Sequence, residues 1–419
     1  MLSAVARARP RTAVVAVPVF RSFATETVSS TSNSAAPPPI KPPSKQPRTR
    51  LYPAPRPAKS HRHQALPQLP PTFGRNQLLP VADSTRALLE SIVAEFEAPI
   101  RYAFAYGSGV FEQDSYGTSS KPGSEGGPMI DFMFAVTHAD HWHSINMSQH
   151  PGHYPLHARL FGSSFVSKVE EVIPGVWFNT FVPMKGVRIK YGVTTVDNLC
   201  SDLLNWKTLY LAGRMHKPIR IIKDDPRVRL TQQVNLVSAV RAALLTLPAE
   251  FSEMQLFSRI AAISYEGDPR MHLPAENHNK VANIVRKQSP QFKELYHRLV
   301  VGLPGVHWPV HSSSIQQDIT PSARAAHLRK LPSNLLSGVE RSYAAHFTKT
   351  ADEIAYWSKL AGDEGLPKVM HEGMSQIVRY PATIQSLKGI VTAGPVKSVR
   401  YSVEKVRKWW QGRQGPSSS

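Results

Sequence analysis

The sequence predicts an α/β fold in which short strands come early and helices follow. Three observations carry this. Residues 102–193 hold four short runs rich in aromatic and β-branched side chains, separated by turn-forming residues. Beyond Asp197 the apolar residues recur at helical spacing instead. The chain has 419 residues, 41% of them apolar, enough for two cores plus tails.

The elements read as follows. The chain opens with Arg7, Arg9, Arg11 and Arg21 among Ser, Ala and Val, and its first acid is Glu26. This Arg-rich, acid-poor composition is that of a mitochondrial transit peptide, expected over residues 1–34. Residues 35–71 carry twelve prolines, a density that keeps neither helix bonds nor sheet ladders, so 35–82 is expected to be a linker. Folding is expected from Asp83, where Leu88, Leu89, Ile92, Val93 and Phe96 describe a helix that ends before Pro99. Strands are expected at 102–106, at 129–136, and at 176–182 and 187–193, the last two joined by a turn at Pro183-Met184-Lys185-Gly186. A polar, Gly/Ser/Pro-rich loop separates the first two. Helices are expected at 203–212, 233–247, 253–265, 277–287 and 340–360.

The formal net charge of +20 suggests nucleic-acid binding until it is located. Residues 1–82 hold 12 Lys/Arg against 1 acid, and residues 368–419 hold 9 against 2. The middle, 83–367, holds 29 against 27 and is nearly balanced, so no nucleic-acid partner is expected for the core. The single cysteine, Cys200, leaves no intramolecular disulfide and fits a reducing compartment. No run of about 18 apolar residues suggests a membrane span. Neither a Gly-x-x-x-x-Gly-Lys phosphate loop nor a Gly-x-Ser-x-Gly nucleophile elbow occurs.

The chemistry centres on a strand, the turn Gly107-Ser108-Gly109, a loop, and a strand bearing Asp131. Glycines let backbone approach a polyphosphate closely, and amide groups with the Ser108 hydroxyl can cradle its oxygens. A carboxylate within Met129-Ile130-Asp131-Phe132-Met133-Phe134 is costly to bury, and a bound Mg²⁺ would offset that cost. The bland alternative is a tight turn followed by an Asp at a strand end.

Longer stretches make the pattern specific. Tyr106-Gly107-Ser108-Gly109-Val110-Phe111, Met129-Ile130-Asp131-Phe132, Trp142-His143-Ser144-Ile145-Asn146 and Ile189-Lys190-Tyr191-Gly192-Val193 are followed by Asn205-Trp206-Lys207-Thr208-Leu209-Tyr210-Leu211-Ala212-Gly213-Arg214-Met215-His216-Lys217-Pro218. Ser264-Tyr265-Glu266-Gly267-Asp268-Pro269-Arg270-Met271, Glu276 and Lys280 complete the set. Together these resemble the mitochondrial translocator assembly and maintenance protein family, which acts as the mitochondrial phosphatidate cytidylyltransferase, over about residues 83–302.

The resemblance implies a nucleotidyltransferase-type mixed sheet (83–225) and a helical, winged-helix-like domain (226–367); the basic, amphipathic, membrane-associating tail expected over 368–419 is read from the residues themselves. It implies Mg²⁺-dependent reaction of CTP with phosphatidate, giving CDP-diacylglycerol and pyrophosphate for cardiolipin synthesis. The setting it implies is the matrix side of the mitochondrial inner membrane. Asp131 and Lys190 are the expected catalytic residues; Gly107, Ser108, Gly109, Lys190, Arg214 and Lys217 are expected to hold phosphates. Without the resemblance, Arg214, His216 and Lys217 would read as the favoured cations of an ordinary helix C-terminus after Gly213. His143, Asn146, His150 and His153 are expected to line the substrate pocket. With His138, His141 and His157 they are not assigned zinc, because Pro and Gly break the segment and leave no helix to fix a ligand spacing. The wider superfamily often places a second carboxylate on the metal strand, where this chain has Met129 and Met133; Asp197 and Asp202 are the expected substitutes. Two other functions are weighed, an RNA-directed nucleotidyltransferase and a non-enzymatic import assembly factor. The balanced core opposes the first, and the carboxylate at Asp131 opposes the second.

The C-terminus speaks without the resemblance. Val396, Val399, Val403, Val406 and Trp410 recur every three or four residues and form one apolar stripe, beside Lys397, Arg400, Lys405, Arg407 and Lys408, with Trp409 next to Trp410. Such a helix is expected to lie on an anionic membrane surface, or else to pack on the domain. Ile377, Ile384, Leu387 and Ile390 extend the pattern upstream, with a break expected at Pro381.

Overall fold

The computed structural model describes residues 69–111, 129–272, 279–345 and 352–393. Its first layer runs α1 (Asp83–Ala94), β1 (Tyr102–Tyr106), β2 (Ile130–Val136), α2 (Ala139–Gln149), α3 (Leu156–Glu171), β3 (Trp177–Met184), β4 (Val187–Thr195), α4 (Val196–Asn205) and β5 (Ile219–Lys223). The five strands form one mixed sheet in the order β3-β4-β2-β1-β5. β2 and β4 are parallel, and every other pairing is antiparallel. The parallel pair needs a crossover, supplied by α2 and α3. β3 and β4 form a hairpin whose turn, Lys185-Gly186, has both residues at positive φ (50° and 75°).

Strand alternation sends successive side chains to opposite faces of this sheet. On one face Ala103, Ala105, Ile130, Phe132, Phe134, Ile189, Tyr191 and Val193 bury Leu89 and Ile92 of α1 and Trp142 of α2. On the other, Tyr102, Phe104, Met133 and Phe178 pack against α4 and the helices beyond.

The second layer runs α5 (Pro226–Leu244), β6 (Glu250–Ser252), α6 (Glu253–Ala262), α7 (Lys280–Val301), β7 (Val306–His307), β8 (Ser314–Gln317), α8 (Pro321–Leu328), α9 (Ser333–Tyr343), α10 (Glu353–Ala361) and α11 (Leu366–Ala393). α5 is capped by Asp225 with Pro226 behind it, and α6 opens with a capping box between Ser252 and Gln255. From α5 to β8, with the antiparallel sheet β6-β8-β7, the order is that of a winged helix. One buried cluster runs unbroken from Phe104, Met133 and Phe178 of the large sheet to Leu236, Phe257, Leu335 and Met370 of the helices.

The structure corrects several expectations. Order begins before Asp83: Asn76 donates to the Leu295 carbonyl (2.8 Å), Gln77 to Gln233 (2.7 Å), and Leu79 is buried. The end of the expected linker is therefore part of the fold. The histidine-rich segment does contain helices, α2 and α3, between which Pro151 and Pro155 end one and admit the other. Residues 206–212, expected to be helical, form tight turns with Trp206 and Leu209 at positive φ. The helix expected over 340–360 is instead the end of α9 and the separate α10. Pro381 does not break α11, whose Met370, Met374, Val378 and Ala382 are buried in the main core. That stretch of the expected membrane tail is structural. Val396, Val399, Val403, Val406, Trp409 and Trp410 lie outside the described residues.

Candidate active site

The functional side chains gather where β1 ends and where β2 and β4 begin. Gly107 leaves β1 at φ 83°, and the turn closes as the amides of Val110 (3.1 Å) and Phe111 (3.0 Å) donate to its carbonyl. Two glycines are needed for different reasons. Gly107 supplies the left-handed conformation. At Gly109 a Cβ would stand 3.0 Å from both the Met129 carbonyl oxygen and the Ile130 Cα, so that position admits no side chain without displacing β2. Ser108 sits between them, and Asp131 Oδ2 lies just under the Gly107 backbone.

Asp131 is in register with Tyr106 of β1 and Lys190 of β4, so the three share a face. The Lys190 ammonium is 3.9 Å from the Asp131 carboxylate and 4.6 Å above the Phe178 ring. The Arg214 guanidinium is stacked 3.8 Å from the Tyr210 ring centre, with Tyr106 and Phe178 on its other sides. Lys217 donates to the Gly213 carbonyl (2.6 Å) and the Ser264 hydroxyl (2.7 Å), and stands over the Tyr265 ring. Lys280, from the first turn of α7, stands over the same ring at 5.3 Å. Desolvation pushes the Asp131 carboxyl above the usual range, against the pull of Lys190, Arg214 and Lys280. Burial, with the charges of Arg214 and Lys280, holds the Lys217 ammonium well below its ordinary value. Cations from both layers thus converge on one carboxylate beside a glycine turn, an arrangement that attracts polyphosphate.

The turn that delivers Arg214 is itself held by Asp202. Its Oδ1 accepts from the amides of Thr208 (2.7 Å) and Leu209 (3.1 Å), and its Oδ2 from those of Leu211 and Ala212 (both 3.0 Å). Its lone pairs are spent on backbone, so it is no metal ligand but a buried anchor. Asp197 is misplaced for a different reason. It follows Thr195, which pairs with Val136 at the far end of β2 from Asp131, and it is bonded to Arg227. Neither supplies a second carboxylate to the site. Among the described residues no three His, Cys, Asp or Glu side chains form a metal-binding group. One carboxylate fits a Mg²⁺ ion completed by phosphate oxygens and water; it does not fit a metal held by protein groups alone.

The expected substrate-pocket residues are also elsewhere. Asn146 and His153 meet the Tyr191 hydroxyl at 2.9 Å, and Tyr191 points to the face opposite Lys190, its neighbour in sequence. His143 is fully buried, with Nδ1 at the Tyr154 hydroxyl and Nε2 at the Glu170 carboxylate, both 2.8 Å. His150 stacks on His153 with ring centres 4.5 Å apart. All four thus lie across the sheet from Asp131, in a network that rigidifies the packing of α2 and α3. Conversely, the residue-level reading gave no site role to Tyr106, Phe178, Tyr210, Tyr265 or Lys280. The longer motifs carried a signal for Tyr106, Tyr210, Tyr265 and Lys280, and none for Phe178, because their proximity depends on how the strands pair and the second layer folds back.

A glycine turn after β1, a carboxylate on β2 and a mixed sheet backed by a winged-helix layer define a nucleotidyltransferase. The model of the mitochondrial phosphatidate cytidylyltransferases matches residues 89–408. A mitochondrial phosphatidate cytidylyltransferase of Danio rerio is 38% identical over 337 residues, 80% of this chain and 98% of the relative. One of Saccharomyces cerevisiae is 34% identical over 339 residues, 80% of this chain and 74% of its own. The chain belongs to the family of mitochondrial phosphatidate cytidylyltransferases.

Proposed function

We propose that this protein transfers a cytidylyl group from CTP to phosphatidate in mitochondria, giving CDP-diacylglycerol and pyrophosphate. The observation that carries this is the convergence of Lys190, Arg214 and Lys280 on Asp131, with Lys217 beside Arg214 and Lys280, next to a glycine turn that admits close backbone approach. The reaction brings a triphosphate and a phosphate monoester together, and their mutual repulsion is the first barrier. Cations from two layers lower that barrier and fix both groups in line.

A phosphatidate phosphate oxygen attacks the α-phosphorus of CTP as the bond from that phosphorus to the β-bridging oxygen breaks, and pyrophosphate leaves. The monoester is largely ionised near neutral pH, so no side chain has to remove a proton from the nucleophile. Backbone amides of the 107–109 turn and the Ser108 hydroxyl hold triphosphate oxygens; Lys190 and Arg214 stand beside them from the sheet side. Lys280 approaches from the helical layer, Lys217 shares the Tyr265 ring with it from the turn before β5, and both suit the incoming lipid phosphate. Asp131 would hold Mg²⁺ together with those oxygens. When bound, the ion polarises the α-phosphate and offsets charge on the leaving pyrophosphate. The proposed location is the matrix face of the inner membrane, with cardiolipin precursors as the downstream demand.

The test is purified protein with α-labelled CTP, Mg²⁺ and either phosphatidate or RNA. Label in CDP-diacylglycerol, with stoichiometric pyrophosphate, supports the reading. Label in RNA, or in neither acceptor, overturns it.

A further inference from the structure

Helix α3 carries apolar side chains on its outside that neither the core nor the candidate site uses. Leu156, Leu160 and Phe161 are 67%, 74% and 68% exposed, whereas Ala158 and Val166 of the same helix are buried beside Tyr154 and Trp177. Leu156 and Leu160 are one turn apart and project to the same side. Gly162, at φ 80°, interrupts the helix directly after Phe161, so these three side chains occupy their own short piece. At the other end of α3, Val172 and Ile173 are about half exposed. Lys388 of α11 donates to the carbonyls of Glu170 (3.2 Å) and Val172 (2.7 Å), which brings its exposed neighbour Leu387 to that same end. Single exposed apolar residues are ordinary, but a run of them on one helix marks a contact surface.

The geometry points to this outer face of α3 as a bilayer-docking surface, seating the protein on a phospholipid membrane with anionic headgroups. The inference rests on the reading above that acceptor and product are lipids. No described helix is long and apolar enough to cross a membrane. Arg159 and Lys168 are exposed on the same helix, whose one exposed acid, Glu171, stands at its end. Long cationic side chains beside protruding Leu and Phe match headgroups above acyl chains. A protein partner would not require that cationic bias.

The test uses the full chain carrying Leu160→Glu with Phe161→Glu, and separately both positions changed to Ala. Flotation is measured with phosphatidylcholine vesicles, with and without phosphatidate. Cytidylyl transfer is measured on vesicle-borne and on monomerically dispersed short-chain phosphatidate. The glutamate pair is expected to lower vesicle partitioning by about tenfold or more, and the alanine pair by less. Turnover of vesicle phosphatidate falls in parallel while that of the short-chain lipid is unchanged. Unchanged flotation of both variants overturns the proposal. So does a drop in self-association without a drop in flotation, which would make the face a contact between copies. If the glutamate pair fails to fold, the alanine pair decides. A wild-type chain that floats but transfers nothing to either lipid refutes the cytidylyltransferase reading and leaves the docking surface standing.

Discussion

The two faces of the large sheet are built from adjacent residues and do opposite work. Lys190 and Tyr191 are neighbours on β4, yet Lys190 stands 3.9 Å from Asp131, while Tyr191 accepts from Asn146 and Asn179 on the far side. On the Asp131 face, formal charges from both layers converge at a part-exposed carboxylate, the side chain of which is 28% exposed. On the Tyr191 face, His143, Asn146, Tyr154, Glu170 and Asn179 are buried and bonded to one another. A polar group among apolar neighbours therefore has two meanings. Where its hydrogen bonds close within the protein it specifies packing; where charges gather at an accessible edge it awaits a ligand.

Substitutions on the two faces should separate activity from stability. The largest effect is expected of Asp131→Asn, about a thousandfold loss of cytidylyl transfer with no loss of melting temperature, since a charge costly to desolvate is removed. Near-wild-type turnover at saturating Mg²⁺ would remove Asp131 from the chemistry. Glu170→Ala should behave in reverse. It strands His143 in the core and is expected to cost about 3 kcal/mol in urea unfolding, while kcat/KM on soluble substrate stays within about threefold wherever the protein is folded. A selective loss of kcat in this variant would mean that the buried network reaches the site after all.

Within the active face, Gly109→Val should weaken CTP binding more than Ser108→Ala. The valine collides with the backbone of β2, whereas the serine change deletes one hydrogen bond to a charged group, about 1.5–3 kcal/mol. Calorimetric titration with CTP gives both; equal, mild losses would reduce the turn to a connector. The smallest effect is electrostatic. Asp131 is protonated at a higher pH than an ordinary aspartate, so activity is lost as pH falls through that raised value. Lys190 pulls the value down, and Lys190→Ala should therefore shift the acid limb of kcat/KM to higher pH, by an amount read from the midpoint and independent of the overall rate. An unshifted limb would assign it to another group.

How much of this was legible in the sequence follows the same division. β1 and the β3–β4 hairpin could be read because alternation and turn residues are local signals. Asp131 stood out because a carboxylate in an apolar strand is rare. Which strand face meets which layer is not local: period-two alternation separates Lys190 from Tyr191 but does not say what lies opposite either. The pocket expected of His143, Asn146, His150 and His153 rested on the resemblance alone, and α2 and the turn after it carry them to the face across the sheet from Asp131. Asp202 misled for a related reason, since a buried carboxylate that caps a turn looks, in sequence, like one that holds a metal. α2 and α3 were hidden by flanking prolines that in fact only bound them. Residues 69–82 looked like linker because the proline density runs up to them, while Asn76 docks on α7, Gln77 on α5, and the carbonyl of the buried Leu79 accepts from Arg220 of β5, all through contacts distant in sequence.

The shared core has a consequence for taking the protein apart. β5 ends at Lys223 and α5 starts at Pro226, so the topology offers a convenient cut. Yet Phe104, Met133 and Phe178 on one side of that cut are sealed by Leu236, Phe257 and Met370 on the other. Expressed alone, either half would show the solvent a wall of apolar side chains and aggregate. A single proteolytic nick between β5 and α5 would instead leave both pieces bound as one particle. Heat should melt them together, and the catalytic sheet is not a transplantable module but half of an obligate pair.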